Sequence, residues 1–93
     1  MTDAELLLMT KANLEIIGAN TSKDTYLTQL IDSSKMMIER EGISLDTNSI
    51  EDCNLITMYA SYLYRKRAED TPVMPRMLRY ALNNRLFSEK VSG

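Results

Sequence analysis

The chain of 93 residues is long enough for one small domain and excludes a two-domain enzyme. Its composition, 44% hydrophobic and 26% charged, is that of a folded globular chain, and its lack of histidine excludes a Ser-His-Asp triad, a Cys-His dyad and a His-bearing zinc site. The formal net charge of −2 is unevenly distributed, because residues 1–52 carry ten acids and four bases, whereas residues 53–93 carry seven bases and three acids.

The first predicted element is a helix from Asp3 to about Ile16. Thr2 and Glu5 have the spacing of a capping box, in which each side chain accepts a hydrogen bond from the other residue's amide. Gly18 is expected to end the helix in a left-handed conformation. Apolar residues on helical spacing predict its buried stripe, which comprises Leu6, Met9, Leu14 and Ile17, broadened by Leu7, Leu8 and Ile16.

A second helix is predicted after the loop 18–22, ending before Gly42. Either Asn20 or Ser22 can cap it, because both side chains accept hydrogen bonds from free amides. In the connector 43–48 that follows, Ile43 and Leu45 are predicted to lie in the core. The helix is amphipathic, with Leu27, Leu30, Ile31, Met37 and Ile38 on its apolar face and Asp24, Thr28, Asp32, Lys35 and Glu39 on its polar face.

The third helix is predicted from Ile50 to about Ala68, with Ser49 as its cap and Asp52 three residues later. It is apolar on more than one side. Such a helix is either wrapped by its own chain or contacted by another chain, which makes a partner a candidate. One stripe comprises Cys53, Ile56, Ala60 and Leu63, and further apolar surface comes from Leu55, Met58, Tyr59 and Tyr62.

Two prolines in the segment 69–75 interrupt the chain before a fourth helix. Pro75 suits the first turn of that helix, because the amide hydrogen it lacks would be unsatisfied there. The tail from Ser88 to Gly93 is expected to be loose. We predict that Leu78, Ala81, Leu82 and Leu86 face inward, whereas Arg76, Arg79 and Asn83 share an outward strip. The pattern as a whole predicts a single all-α domain of about four helices over residues 1–93.

The sequence predicts neither a metal site nor a cofactor. Cys53 lies on the stripe expected to face the core, so it is predicted to be a buried apolar side chain rather than a reactive thiol. The acids around Glu39 and Glu51 lack the alternating oxygen ligands and turn glycine of a calcium loop. No apolar run is long enough to cross a bilayer, so we expect a soluble, intracellular protein.

The uneven charge has three interpretations: a basic surface for nucleic acid, complementary patches that bring copies of the chain together, or neutralisation within one fold. The cluster 65–67 also complements the negative end of its helix dipole. A helix-turn-helix DNA reader fits poorly, because the linker before the last helix contains two prolines. The candidate residues for a subunit or partner interface are Tyr59, Tyr62, Tyr64, Arg65, Arg67, Arg76, Arg79 and Arg85.

The order of these elements resembles the phage head-tail connector family, the small helical adaptors beneath the portal of tailed bacteriophages and prophages. The resemblance covers most of the chain. It rests on the apolar stripe 6–17, on Tyr26–Ile31 leading a helix that ends at Gly42, on Met58–Arg67, and on Pro75–Leu86 after a proline break.

The resemblance implies a non-enzymatic protein without a cofactor that assembles as a ring, dodecameric in this family. The ring completes the DNA-filled head beneath the portal protein and gives the stopper or tail-completion protein a docking platform. DNA passes through it without sequence-specific binding, and no membrane is involved. The expected location is the head-tail junction of the virion, after synthesis in the host cytoplasm. The alternative function is that of a small DNA-binding regulator that uses the basic C-terminal helices.

Overall fold

The computed structural model of the protein describes residues 1–67 and 73–92, and these residues form four helices and no strand. The helices are α1 (Asp3–Asn13), α2 (Asp24–Arg40), α3 (Ile50–Lys66) and α4 (Arg76–Ser92). The predicted all-α fold class is confirmed. The predicted end of the third helix at Ala68 and residues 69–72 of the proline break lie outside the described residues, as does Gly93 of the predicted tail. Among the described helices, none has the length and apolarity that crossing a bilayer requires.

Two of the predicted helix starts are confirmed by their capping hydrogen bonds. Thr2 Oγ1 accepts a hydrogen bond from the Glu5 amide at 3.2 Å, and Glu5 Oε1 accepts one from the Thr2 amide at 3.1 Å. Ser49 Oγ likewise accepts a hydrogen bond from the Asp52 amide at 3.3 Å. These bonds satisfy amides that have no partner within the first helical turn.

The end of α1 differs from the prediction, because the helix stops at Asn13 rather than near Ile16. Glu15 adopts a left-handed φ of 61°, a conformation that the sequence assigned to Gly18. The Ile16 amide then donates to the Lys11 carbonyl at 2.8 Å, as in a Schellman motif. Glu15 therefore ends the helix without a glycine.

The predicted cap of α2 is wrong. Asn20 Oδ1 accepts hydrogen bonds from the amide and the hydroxyl of Ser22, so both candidate caps are used within the loop. The N-cap position is Lys23, which makes no side-chain capping bond. The start of α2 is instead secured by tertiary contacts, because the Lys11 ammonium group lies 2.5 Å from the Asp24 carboxylate in its first turn.

The core surrounds α3, which packs against α1, α2 and α4. Its predicted stripe residues Cys53, Ile56 and Ala60 are buried, but Leu55 and Tyr59 are buried as well. The chain itself therefore covers most of the apolar surface of α3. The other helices and the connector contribute Leu6, Leu27, Ile31, Ile38, Ile43, Leu78 and Leu82 to the core.

Helix α4 packs through Leu78 and Leu82, each 1% exposed, as predicted. Pro75 directly precedes the helix, and its carbonyl accepts the first helical hydrogen bond, from the Arg79 amide at 3.1 Å. The helix continues to Ser92, although a loose tail was expected from residue 88. One physical reason is an ion pair one turn apart, between Arg85 and Glu89, which supports the last turns of the helix.

Candidate interaction surface

The predicted tyrosines of α3 do not form one site. Tyr59 is 8% exposed, and its ring meets the Tyr62 ring edge-on with centroids 6.1 Å apart. Burial raises the pKa of the Tyr59 hydroxyl, and the nearby Glu41 carboxylate raises it further. Tyr62 is half-buried, with the Lys66 ammonium group 5.9 Å from its ring centroid. Tyr59 is thus a core residue, and Tyr62 lies at the rim of the core.

Tyr64 lies on another side of α3, where it joins the end of that helix to the start of α2. Its ring centroid is 6.2 Å from that of Tyr26. The Lys23 ammonium group lies 5.4 Å from the Tyr64 centroid, and the Arg67 guanidinium lies 4.8 Å from the Tyr26 centroid. Cation–π contacts of this kind stabilise by about 0.5–1 kcal/mol each at exposed sites, so Lys23 and Arg67 have a structural role here.

Like Arg67, the predicted residues Arg65 and Arg79 make contacts within the chain, whereas Arg76 lies at the surface. Arg65 Nη2 donates to the Asn13 carbonyl at 3.1 Å and so satisfies the C-terminal end of α1. Arg79 Nη1 lies 3.2 Å from Glu41 Oε1 in a partly exposed ion pair. Arg76 is exposed at the start of α4. The sequence therefore identified these cations, but not the internal contacts that most of them make.

Arg85 is the centre of a network that ties α4 to the rest of the fold. Its Nε donates to Asp52 Oδ1 at 2.7 Å, its Nη2 to the Ser44 carbonyl at 2.7 Å, and its Nη1 to Glu89 Oε2 at 2.7 Å. The Asp52 side chain is 2% exposed and also accepts a hydrogen bond from the Asp46 amide at 2.8 Å. Hydrogen bonds to Asp52 and then Glu89 raise the pKa of Arg85, and the bond from Arg85 is the main cause of the lowered pKa of Glu89.

This network gives Arg85 an intramolecular role in place of the exposed position that an interface residue needs. The side chain is 15% exposed, and all three of its guanidinium nitrogens donate within the fold. Its spacing from Leu78 and Leu82, seven and three residues, already places it on the buried face of α4. That spacing was the signal that the sequence prediction did not use.

In the part of the chain that the structure describes, two ion pairs join the acidic half to the basic half. Arg79 pairs with Glu41, and Arg85 pairs with Asp52. Part of the charge asymmetry is therefore neutralised within one fold, which was one of the three interpretations open at the level of sequence. The exposed cations outside these pairs include Arg76 and Lys90 on α4.

The largest run of exposed apolar side chains on one helix lies on α4, whereas the sequence predicted the surplus apolar surface on α3. We call this surface, formed by Met77, Tyr80, Phe87 and Val91, the outer stripe. These side chains are 73%, 58%, 69% and 69% exposed. At 3.6 residues per turn, the four positions fall within an arc of about 80° that lies away from the buried Leu78 and Leu82. Their spacing is visible in the sequence, but the outward strip predicted for α4 comprised only the polar residues Arg76, Arg79 and Asn83.

A groove runs between α3 and α4. Its wider part has a volume of about 540 Å³, with Ile50, Leu55 and Met58 on one wall and Ala81, Asn84 and Ser88 on the other. It continues past Met58 into a smaller cavity of about 210 Å³, lined by Tyr62, Arg65 and Met77 among others. At the Ile50 end, an adjoining cavity is bordered by the carboxylates of Asp46, Glu51, Asp52 and Glu89 and by Arg85. We call the whole feature, from Ile50 to Arg65, the α3–α4 groove.

The single cysteine of the chain lies in the core. Cys53 is 1% exposed and its thiol donates to the Thr47 carbonyl at 3.2 Å, so the predicted buried apolar cysteine is confirmed. Within residues 1–67 and 73–92, no three potential acidic or cysteine ligands group together as a metal site. No protein-family model, curated protein or solved structure matches this chain.

Proposed function

We propose that the protein is a structural assembly protein of the phage head-tail connector type. It forms a ring beneath the portal protein, completes the DNA-filled head and provides the docking platform for a stopper or tail-completion protein. The observation that carries the proposal is the outer stripe of α4. A helix that buries one face on its own domain and exposes a second apolar face is typical of a surface that a protein partner covers.

The contacts of the basic residues favour assembly over the alternative of a small DNA-binding regulator. Arg79 and Arg85 are paired with carboxylates, Arg65 bonds a helix carbonyl, and Arg67 stacks on a tyrosine ring. A DNA-binding surface needs several cations that are free to contact phosphates. Most of the basic groups predicted for such a surface are already engaged within the fold.

The test is the mass of the purified protein by light scattering over a wide range of concentration, alone and with the portal protein of the same phage. We expect a ring or a stoichiometric complex with the portal. Phe87→Asp should reduce either product, because a charge replaces an exposed apolar ring in the outer stripe. Thr28→Asp, on the exposed polar face of α2, is the matched control.

Two further variants test the residues predicted from the sequence. Replacement of Tyr62 or Arg79 by alanine should weaken assembly and leave the helical circular dichroism unchanged. A protein that stays monomeric at all concentrations and ignores the portal would contradict the proposal. In that case retention on DNA at low salt, with a steep loss as salt is added, would favour the regulator.

A further inference from the structure

We propose that the outer stripe of α4 docks into the α3–α4 groove of a second copy of this chain, with the Met77 end of the stripe at the acidic end of the groove. This inference rests on the proposed function, since it identifies the two surfaces that neighbouring subunits bring together. It is carried by the length, the apolar character and the charge of the two surfaces.

The stripe and the groove match in length. From Met77 to Val91 the stripe spans about 21 Å along its helix axis, and from Ile50 to Arg65 the groove spans about 22 Å, both at the α-helical rise per residue. The floor of the groove is apolar at Leu55 and Met58, and its α4 wall is made of small or short side chains. A helix can therefore lie along the groove and bury its apolar side chains between α3 and α4.

The charges at the ends of the two surfaces are complementary in one orientation. The Ile50 end of the groove is bordered by four carboxylates and one guanidinium, and its far end carries Arg65. The stripe begins beside the exposed Arg76, at the positive end of the α4 dipole, whereas at its other end the exposed Lys90 offsets the negative end of that dipole. Placing Arg76 of one copy near Glu51 of the next therefore joins the more positive end of the stripe to the acidic end of the groove.

The contact is heterologous, because the two surfaces that meet are different parts of the chain. Each copy offers its stripe to one neighbour and its groove to another. Repetition of such a contact produces a closed ring when the rotation between copies closes. The two surfaces adjoin on α4, because Met77 lines the groove as well as the stripe and Asn84 of the groove wall lies within the arc of the stripe, so this one helix contributes to both halves of the repeating interface.

The first experiment is disulfide cross-linking between two singly substituted proteins. One carries Tyr80→Cys in the stripe, near its Met77 end, and the other carries Asn54→Cys on the groove, near its acidic end. Both native side chains are exposed, whereas the native Cys53 is buried and should react little. Mixing the two proteins at high concentration in air-saturated buffer, where dissolved oxygen oxidises the paired thiols, should give a mixed disulfide dimer that forms at least tenfold faster than with a Thr28→Cys control.

A third cysteine variant, Val91→Cys, tests the orientation. It should react with Asn54→Cys more slowly than Tyr80→Cys does, because it lies about 16 Å further along the helix. Equal or reversed rates would overturn the proposed orientation. If two molecules of Tyr80→Cys instead form a disulfide dimer with each other and the groove variant does not react, two stripes are in contact. That result would overturn the proposal.

The second experiment is a charge exchange. Glu51→Arg and Arg76→Glu should each weaken self-association or portal-nucleated assembly by roughly tenfold, because each places like charges together. The double variant should recover to within about threefold of the native protein, while Asp32→Arg on the exposed face of α2 should have no effect. Failure of the double variant to recover would contradict the predicted pairing.

The two proposals fail in different ways. If the native protein assembles but neither the cross-link nor the charge exchange behaves as expected, the assembly function stands and the docking of stripe into groove is wrong. If the native protein neither associates with itself nor binds the portal, the proposed function fails before its interface can be assigned.

Discussion

Replacement of Arg85 by alanine is expected to destabilise the protein far more than replacement of Arg79, although both arginines lie on α4 and both pair with an acid from the first half of the chain. The difference lies in burial. Arg85 is 15% exposed and its partner Asp52 is 2% exposed, whereas Arg79 is 46% exposed and Glu41 is 30% exposed. Removal of Arg85 leaves the Asp52 carboxylate inside the fold without the cation that compensates it.

The expected magnitudes follow from that geometry. Breaking a buried, hydrogen-bonded ion pair by removing one partner costs about 3–5 kcal/mol, and an exposed pair contributes about 0.2–1 kcal/mol. A domain of this length has a free energy of unfolding of about 5–14 kcal/mol. Arg85→Ala should therefore remove a large part of the total stability. The loss of stability in Arg85→Lys should lie between the losses in Arg85→Ala and Arg79→Ala. Lysine keeps the charge but not the forked contact with Asp52 and Ser44.

Equilibrium unfolding in urea, followed by far-ultraviolet circular dichroism, measures these differences. The double variant Arg85→Met with Asp52→Asn should recover at least half of the loss, because no uncompensated charge then remains buried. A free energy of unfolding for Arg85→Ala within about 1 kcal/mol of that for Arg79→Ala would refute the reasoning. It would mean that water reaches Asp52 and that the network is weaker than its geometry indicates.

Three further predictions concern acid, alkali and the two faces of α4. The bond from Arg85 lowers the pKa of Glu89 below its ordinary value of 4.5, so its contribution to stability is present above that value and should be lost as the pH falls through the lowered pKa. In Glu89→Gln, the urea midpoint of unfolding should therefore depend less on pH over that range. Burial raises the pKa of Tyr59 above 10.0, so one tyrosinate signal should appear late in an alkaline titration and be absent from Tyr59→Phe. Leu82→Ala should cost about 2–5 kcal/mol in urea unfolding and Phe87→Ser less than about 0.5 kcal/mol, and similar losses would place Phe87 in the core.

The features that the sequence predicted correctly depend on residues close together in the chain. A capping box needs only Thr2 and Glu5 three positions apart, and an inward stripe needs only helical spacing, as at Leu78 and Leu82. The end of α1 was missed because Glu15 takes the left-handed conformation that is usual for glycine. A negatively charged residue in that conformation has no sequence signal of comparable strength.

The features that the sequence could not supply depend on tertiary structure. Arg85 and Asp52 are 33 positions apart, and neither reveals its partner by spacing. The prediction that α3 carries the surplus apolar surface was wrong for a related reason. A count of apolar residues along a helix does not give the number of helices around it, and α3 is enclosed by three while α4 packs mainly on α3. The same abundance of apolar residues therefore belongs to the core on α3 and to the surface on α4.

This arrangement links the stability of α4 to its proposed role in assembly. The face of α4 that holds it to the domain has Leu78, Leu82 and Arg85, and the other face carries the outer stripe. A variant that loosens α4, such as Arg85→Ala, should lose assembly as well as stability, because the stripe is then no longer held beside the groove. A substitution at Phe87 should lose assembly alone. Only the second kind of variant separates contact between copies from folding. The decisive comparison is therefore between a variant on the inner face of α4, which should lose both stability and assembly, and one on its outer face, which should lose assembly alone.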